Sequence, residues 1–148
     1  MAFDTTAGAS LGISATLPAT YNEAGYAALT YVNVGEITNI GEFGKEFALV
    51  SHNPLATRGT KKSKGSFNNG SLGPALALDE SDAGQVLMRA AVDLDNPYAF
   101  LITADNGDKY YMEGLVMTFK PNFGGVDDII TASTTIEINH NPIIPVLV

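Results

Sequence analysis

The sequence predicts a single, mainly β domain with one α-helix, and three patterns support this prediction. Hydrophobic and polar residues alternate from Ile129 to Ile138, an Asn-Gly turn separates two apolar runs further upstream, and one stretch near the middle of the chain has apolar residues at helical spacing. The 148 residues are predicted to form one domain, 1–148. A domain of this size buries roughly 70% of its unfolded surface, so it needs no disulfide or metal to fold.

The alternating segment has the period of two that is typical of a half-buried strand. Its predicted buried face consists of Ile130, Ala132, Thr134, Ile136 and Ile138. Its predicted polar face consists of Thr131, Ser133, Thr135 and Glu137. The segment is therefore expected to lie with one side on a core.

Two further strands are predicted on either side of the turn 105–108. Tyr98–Thr103 and Lys109–Lys120 are rich in apolar and β-branched residues, and the Asn106-Gly107 pair supplies the positive φ angles that a tight hairpin needs. The turn 122–125, Asn-Phe-Gly-Gly, then leads into the alternating strand. The three strands are expected to form an antiparallel meander.

One helix is predicted over 79–95. Its apolar stripe has offsets of 0, 3, 4, 7, 8 and 11, formed by Ala83, Val86, Leu87, Ala90, Ala91 and Leu94. Asp79, Glu80 and Asp82 crowd its start, where carboxylates cap free amides, and Pro97 follows its end. We expect the stripe to lie on the sheet.

The rest of the chain is less regular. Strands are predicted at Leu11–Leu17, Leu29–Val34, Glu36–Ile40 and Phe47–Val50. Residues 1–10 are expected to form a flexible N-terminal arm and 51–74 a long loop of the kind that usually has a binding role. The C-terminal tail, 139–148, is apolar without alternation and contains two prolines, so it is expected to be buried on a neighbouring molecule.

The charge distribution excludes general DNA binding and favours self-association. The net charge is −8, which repels phosphate. Half of the basic residues fall within seven positions of the predicted loop: Arg58, Lys61, Lys62 and Lys64. A basic loop on an acidic body complements another copy of that body, and a contact between two different surfaces propagates into rings or filaments. The alternative is a solvated flexible loop.

No catalytic or metal-binding pattern is present in the sequence. The chain has no cysteine, and His52 and His140 have no partner at metal-ligand spacing. A nucleophile elbow, a phosphate loop and a dinucleotide fingerprint are absent, and helix ends and turns account for the paired acids. The expectation is a non-enzyme without cofactor or metal. Since no apolar run is long enough to span a membrane, we expect a soluble protein made in the cytoplasm.

Three segments together resemble the tail tube proteins of long-tailed bacteriophages, and in particular the amino-terminal domain of the lambda tail tube subunit. They are the helix with its acidic start (79–89), the hairpin (98–116) and the closing strand (129–139). The resemblance implies a β-sandwich or barrel-like fold with a flanking helix and a long inter-subunit loop. It also implies stacked hexameric rings around a lumen that holds the tape measure protein and later passes viral DNA.

The resemblance also implies partners and contact residues. The partners are further copies of the chain, the tape measure protein, and the tail terminator and distal tail proteins, in a virion assembled in the host cytoplasm. The residues expected at contacts between subunits or rings are Arg58, Lys61, Lys62, Lys64, Phe67, Ile143 and Ile144, and Glu137 is the candidate for the lumen. The alternatives are the inner tube of a contractile tail or type VI-like secretion system, and a β-sandwich module that binds sugars or peptides.

Overall fold

A computed structural model describes residues 3–148. Its strands, in chain order, are β1 (Ser10–Ser14), β2 (Val32–Val34), β3 (Ile37–Asn39), β4 (Glu46–His52), β5 (Lys61–Asn68), β6 (Ser71–Leu72), β7 (Ala75–Ala77), β8 (Tyr98–Thr103), β9 (Lys109–Asn122), β10 (Thr131–Ile138) and β11 (Ile144–Val146). Its helices are α1 (Glu23–Ala27) and α2 (Ala83–Val92). The predicted mainly β class is confirmed, although α1 was not predicted.

One large antiparallel sheet organises the chain. Its strand order is β2-β1-β8-β9-β10-β7-β3, with β11 beside the start of β9 and β6 beside the end of β10. β4 and β5 form a separate two-stranded sheet. The long strand β9 lies at the centre of the large sheet because it pairs with β8, β10 and β11.

The predicted meander is confirmed. β8 and β9 pair from Tyr98↔Gly114 to Thr103↔Lys109, and the Ala104 amide donates to the Asp108 carbonyl (2.8 Å) across a turn in which Gly107 has φ +100°. β10 has the predicted alternation but begins two residues late, at Thr131. The preceding pair, 129–130, belongs instead to an exposed loop.

The helix exists, but its predicted buried stripe is correct only for Leu87 and Ala91. α2 spans Ala83–Val92 rather than 79–95, and Asp82 caps it by accepting from the Gln85 amide (3.0 Å). Its buried residues are Gly84, Gln85, Met88 and Ala91, whereas Val86 and Leu94 of the predicted stripe are about half exposed. The helix is turned because Gly84 lies against the backbone of residues 33–34, where a Cβ would overlap.

Hydrogen bonds of the Gln85 side chain also hold α2 in this orientation on the sheet. The Gln85 Nε2 donates to the carbonyls of Gly35 and Ala77, both at 3.0 Å, and its Oε1 accepts from the Asp79 amide at 2.9 Å. A polar side chain therefore lies on the buried face and joins α2 to two segments of the sheet layer.

The sheet is covered on both faces. The main core includes Leu11, Phe100, Met112 and Ile136, and α2 packs against it through Met88. A smaller cluster on the opposite face of β8 and β9 contains Tyr26, Ala99 and Tyr111, with the Tyr26 and Tyr111 rings stacked at 5.4 Å. α1 supplies Tyr26 and so covers the second face.

Several predicted upstream boundaries are corrected. The strand predicted at Leu11–Leu17 is β1, which ends at Ser14, and only the last part of Leu29–Val34 is extended, as β2. Residues 29–31 pack instead with the Tyr26 cluster. Of the N-terminal segment 1–10, the first two residues lie outside the described part, and Ser10 already belongs to β1.

The predicted long loop, 51–74, is also corrected. Residues 51–52 end β4, residues 61–68 form β5, which pairs with β4, and residues 71–72 form the short strand β6. The strand predicted at Phe47–Val50 extends over Glu46–His52. No helix within residues 3–148 combines the length and apolar character needed to cross a membrane.

Candidate assembly surfaces

A two-stranded hairpin extends from the domain, and we call residues 46–68 the hairpin arm. β4 and β5 pair from Glu46↔Asn68 to His52↔Lys61 and share no ladder with the large sheet. All of β4 and all of β5 except Gly65 are exposed. A ribbon with no buried face is not explained by the packing of its own chain.

Local contacts keep the hairpin arm folded near its base. The rings of the cross-strand pair Phe47 and Phe67 are 5.7 Å apart. The ammonium group of Lys64 lies 4.8 Å from the Phe47 ring centre, and that of Lys45 lies 4.6 Å from the Phe67 ring centre. Cation–π contacts of this kind contribute about 0.5–1 kcal/mol at exposed sites. Phe67 is thus partly covered by its own chain, at 45% exposure.

The hairpin arm gathers the predicted basic residues on one exposed ribbon. Arg58 lies in the turn, and Lys61, Lys62 and Lys64 lie on β5. The single ion pair within residues 3–148 joins Arg89 to Glu80, at 2.8 Å, so the cations of the hairpin arm are not neutralised by acids there. The hairpin arm has four basic residues and one acid, against four basic residues and fifteen acids elsewhere.

The base of the hairpin arm is fixed by a polar cluster, which we call the clamp: Asn69, Glu113, Asn139 and Asn141. Asn69 is buried, and its Nδ2 donates to the carbonyls of Asn139 (2.7 Å) and Asn141 (3.1 Å). The buried Glu113 carboxylate accepts from the side-chain amides of Asn139 (2.8 Å) and Asn141 (2.9 Å). The clamp therefore ties the C-terminal tail to β9 and to the hairpin arm.

The C-terminal tail packs on its own chain to a greater degree than predicted. β11 pairs with β9 through Ile144↔Tyr111, and Pro145 is tolerated because β11 is an edge strand. Ile143 packs against the main core and Ile144 against the Tyr26 cluster, both half-buried. Ile143, Ile144 and Val146 are therefore half-buried on their own chain, whereas Leu147 and Val148 are exposed. The predicted burial of the tail on a neighbouring molecule stays a prediction.

Glu137 lies on the exposed face of β10, as the alternation predicts. It is paired with Leu115 of β9 and Ser71 of β6, and the exposed face continues along the strand through Thr131 and Ser133. One polar, acid-bearing face of the large sheet is thus free of covering elements along β10.

Comparisons with known proteins identify the fold. No family model matches the chain, and no curated protein is similar to it in sequence. A chain of the anti-feeding prophage (AFP) baseplate, determined by cryo-EM with 6-fold symmetrisation, matches with a TM-score of 0.71 and 6% identity over 97% of both chains. A chain from the PVC sheath/tube terminator of an extracellular contractile injection system matches with a TM-score of 0.72 and 6% identity over 99% of both. The SPP1 tail tube matches with a TM-score of 0.59 and 12% identity over 93% of this chain and 75% of that one.

The chain has a tail-tube-like fold. At these identities the likeness establishes only the architecture of the chain. The structures that share this architecture include a phage tail tube and chains of contractile injection systems. The predicted fold class is confirmed.

One exposed surface of this tail-tube-like domain was not predicted. The segment between β9 and β10, which we call the apolar loop (123–130), exposes four large hydrophobic side chains: Phe123 (72%), Val126 (102%), Ile129 (74%) and Ile130 (40%). The Asp128 carboxylate accepts from the Gly125 amide (2.8 Å) and closes a turn. The signal was present in the sequence as four apolar residues around Gly-Gly and Asp-Asp, but we interpreted them as a turn and a strand start.

No three His, Cys, Asp or Glu residues among 3–148 lie close enough to hold a metal. Burial, and then the nearby Glu113 charge, raise the pKa of Tyr26, and burial raises the pKa of Tyr31, so both phenols stay neutral. A hydrogen bond to Glu113 raises the pKa of Tyr21, and hydrogen bonds from Ser81 lower the pKa of Asp79. The two histidines are exposed.

Proposed function

We propose that the chain is a structural tail tube subunit that self-assembles into stacked hexameric rings with a lumen for viral DNA. The observation that carries this proposal is the hairpin arm. It is a basic ribbon that is exposed along nearly its whole length on an acidic domain with a tail-tube-like fold. Such a ribbon becomes buried only when a second molecule supplies the other surface.

Charge supports contact between copies. The unneutralised cations, Arg58, Lys61, Lys62 and Lys64, face an acidic body on every other copy, and the contact joins two different surfaces. A heterologous contact either closes into a ring or continues as a filament. Closed rings that also stack on one another through the hairpin arm combine ring closure with growth into a filament. In this proposal Phe67 and the tail residues Ile143 and Ile144 border the same contacts.

The lumen proposal uses the exposed polar face of β10. A wall that carries Glu137 repels phosphate, whereas paired lysines would release counterions and hold the DNA. The net charge of −8 per copy keeps the passing DNA from adhering. The further partners of this proposal are the tape measure, tail terminator and distal tail proteins.

The type of tail defines two versions of the proposal. We place the chain in a long, non-contractile phage tail. The inner tube of a contractile tail or type VI-like secretion system is the alternative, and the likeness to AFP and PVC chains supports it. Isolation of the native particle separates them, because a contractile tail has a sheath around the tube.

A ligand-binding module is a different class of alternative. An open cleft of about 590 Å³ lies between the base of the hairpin arm and the end of β10, with Phe47, Phe67 and His140 among its walls. A sugar- or peptide-binding protein would use such a cleft as a stable monomer.

Electron microscopy with light scattering, over a range of concentrations, tests the proposal. Hollow tubes or stacked six-fold rings are expected. A variant with residues 49–65 replaced by Asn-Gly keeps the Phe47–Phe67 pair and the clamp, so it should stay folded and monomeric. If the wild-type protein stays monomeric, even with purified tail-tip complexes added, the proposal is contradicted and the ligand-binding module is favoured.

A further inference from the structure

The apolar loop is an exposed hydrophobic surface that the core of the domain does not explain. Val126 is fully exposed, and Phe123 and Ile129 are each more than 70% exposed. Clustered exposure of this kind marks an interaction site more often than scattered single residues do. Asp127 lies at the centre of the loop, is exposed, and forms no ion pair within residues 3–148.

The hairpin arm has the matching chemistry on one face. Phe47, Leu49 and Ser51 alternate along β4, and their cross-strand partners on β5 are Phe67, Lys64 and Lys62. Cross-strand partners share a face of the ribbon, and the contact between Lys64 and the Phe47 ring agrees with this assignment. The face therefore combines apolar side chains with cations, whereas the apolar loop combines apolar side chains with an acid.

The acids at the start of α2 are already engaged within their own chain. Asp79 accepts from Ser81, Glu80 is paired with Arg89, and Asp82 accepts from the amides of Gly35 and Gln85. The start of α2 is therefore less suited to receive the cations of a second molecule than Asp127 is.

The two surfaces lie at opposite ends of β10. The amide of Ile138, the last residue of β10, donates to the Gly70 carbonyl beside the base of the hairpin arm (3.1 Å). At the other end the apolar loop leads directly into Thr131, and the Ile130 carbonyl accepts from the Leu78 amide (2.9 Å). Eight residues of strand separate the two ends by roughly 25 Å.

The geometry points to the apolar loop, 123–130, as the surface on a second copy of this chain that receives the hairpin arm. This inference rests on the proposed function and names the receiving surface for its central contact. Phe47, Leu49 and Phe67 pack on Val126 and Ile129, and Lys62 or Lys64 pairs with Asp127. Because donor and acceptor surfaces lie at opposite ends of one strand, each bound copy presents a new hairpin arm, and the contact repeats head to tail.

Disulfide trapping between copies tests this pairing without background, since the chain has no cysteine. Leu49→Cys and Val126→Cys are made in separate proteins, mixed under assembly conditions and oxidised. Both side chains are well exposed, so each variant should fold. The matched control replaces Val126→Cys with Leu94→Cys, an exposed apolar position beyond α2.

The expected result is a covalent heterodimer from the Leu49→Cys and Val126→Cys mixture at least about tenfold more abundant than from the control mixture, a ratio equivalent to about 1.4 kcal/mol. Tubes or rings seen by microscopy without this preference would overturn the pairing and leave the proposed function intact. A wild-type protein that forms no assembly, even with purified tail-tip complexes added, would overturn both.

Discussion

Gln85 offers a direct test of what holds α2 on the sheet. The side chain is 2% exposed and forms three hydrogen bonds of 2.9–3.0 Å, with Gly35, Ala77 and Asp79. A net contribution of about 1 kcal/mol for each bond, with a further penalty for carbonyls left buried without a donor, gives about 3–4 kcal/mol for Gln85→Ala. That loss lowers the melting temperature by roughly 10 °C for a domain of this size.

Gln85→Glu sharpens the test because it keeps the size of the side chain. One carboxylate oxygen then faces the carbonyl oxygens of Gly35 and Ala77, to which the Gln85 amide group donates in the wild type, and a charge is buried without a counter-charge. We expect Gln85→Glu to be less stable than Gln85→Ala at pH 7.

Thermal and urea unfolding, followed by circular dichroism below the assembly concentration, measure both variants. The control is Val86→Ala, at the neighbouring position, whose side chain is half exposed and whose change should stay within about 0.5 kcal/mol. A Gln85→Ala variant within about 1 kcal/mol of wild type, or a Gln85→Glu variant more stable than Gln85→Ala, would refute the reasoning.

Three further predictions concern assembly and pH. Replacing Lys61, Lys62 and Lys64 together by Glu should abolish tube formation in a sedimentation assay while the triple Arg variant still assembles; assembly by the Glu variant would exclude a role for these charges. Glu137→Lys should permit assembly but slow DNA delivery, because a cation then faces the passing phosphates, and unchanged infectivity of such a phage would contradict the lumen assignment. Tyr26→Phe should be neutral or stabilising at pH 7, because the buried hydroxyl has no hydrogen-bond partner in the described chain. The raised pKa of Tyr26 means that its phenol stays protonated in the folded state at a pH where the unfolded state has lost the proton. The wild type therefore loses stability as the pH rises above about 10. Tyr26→Phe should lose less stability over this range, and equal losses in alkaline unfolding scans would contradict this.

The elements that were predicted correctly have signals that lie within one short segment. The β8–β9 hairpin follows from the Asn106-Gly107 turn, and β10 follows from its alternation of buried and exposed residues. These patterns can be recognised in the sequence because each strand buries one or both faces against its own chain. The approximate position of α2 could be predicted because this helix also buries one face on the core.

The features that were missed depend on contacts between distant segments. The buried face of α2 contains Gly84, which permits close backbone approach, and Gln85, which satisfies backbone carbonyls. Neither is visible to a count of apolar residues. The clamp likewise joins Asn69 to residues about seventy positions away.

β5 was assigned to a loop because neither face of the hairpin arm is buried by its own chain. β5 reads Lys-Lys-Ser-Lys-Gly-Ser-Phe-Asn, without the alternation that a half-buried strand shows. The strand exists because its backbone pairs with β4. The sequence nevertheless marked its exposed surface through the concentration of Arg58 and the three lysines. The contact role of these cations stays a prediction, and the structure shows only that they are exposed.

The clamp has a mechanical consequence. A pull on the hairpin arm reaches the domain through Asn69, passes to the carbonyls of Asn139 and Asn141, and ends on Glu113 in the middle of the central strand β9. Tension is thus delivered to the most extensively paired strand of the sheet rather than to the edge strand β11. A filament linked through such ribbons would bend by flexing the two-stranded ribbons, while each domain keeps its shape under load.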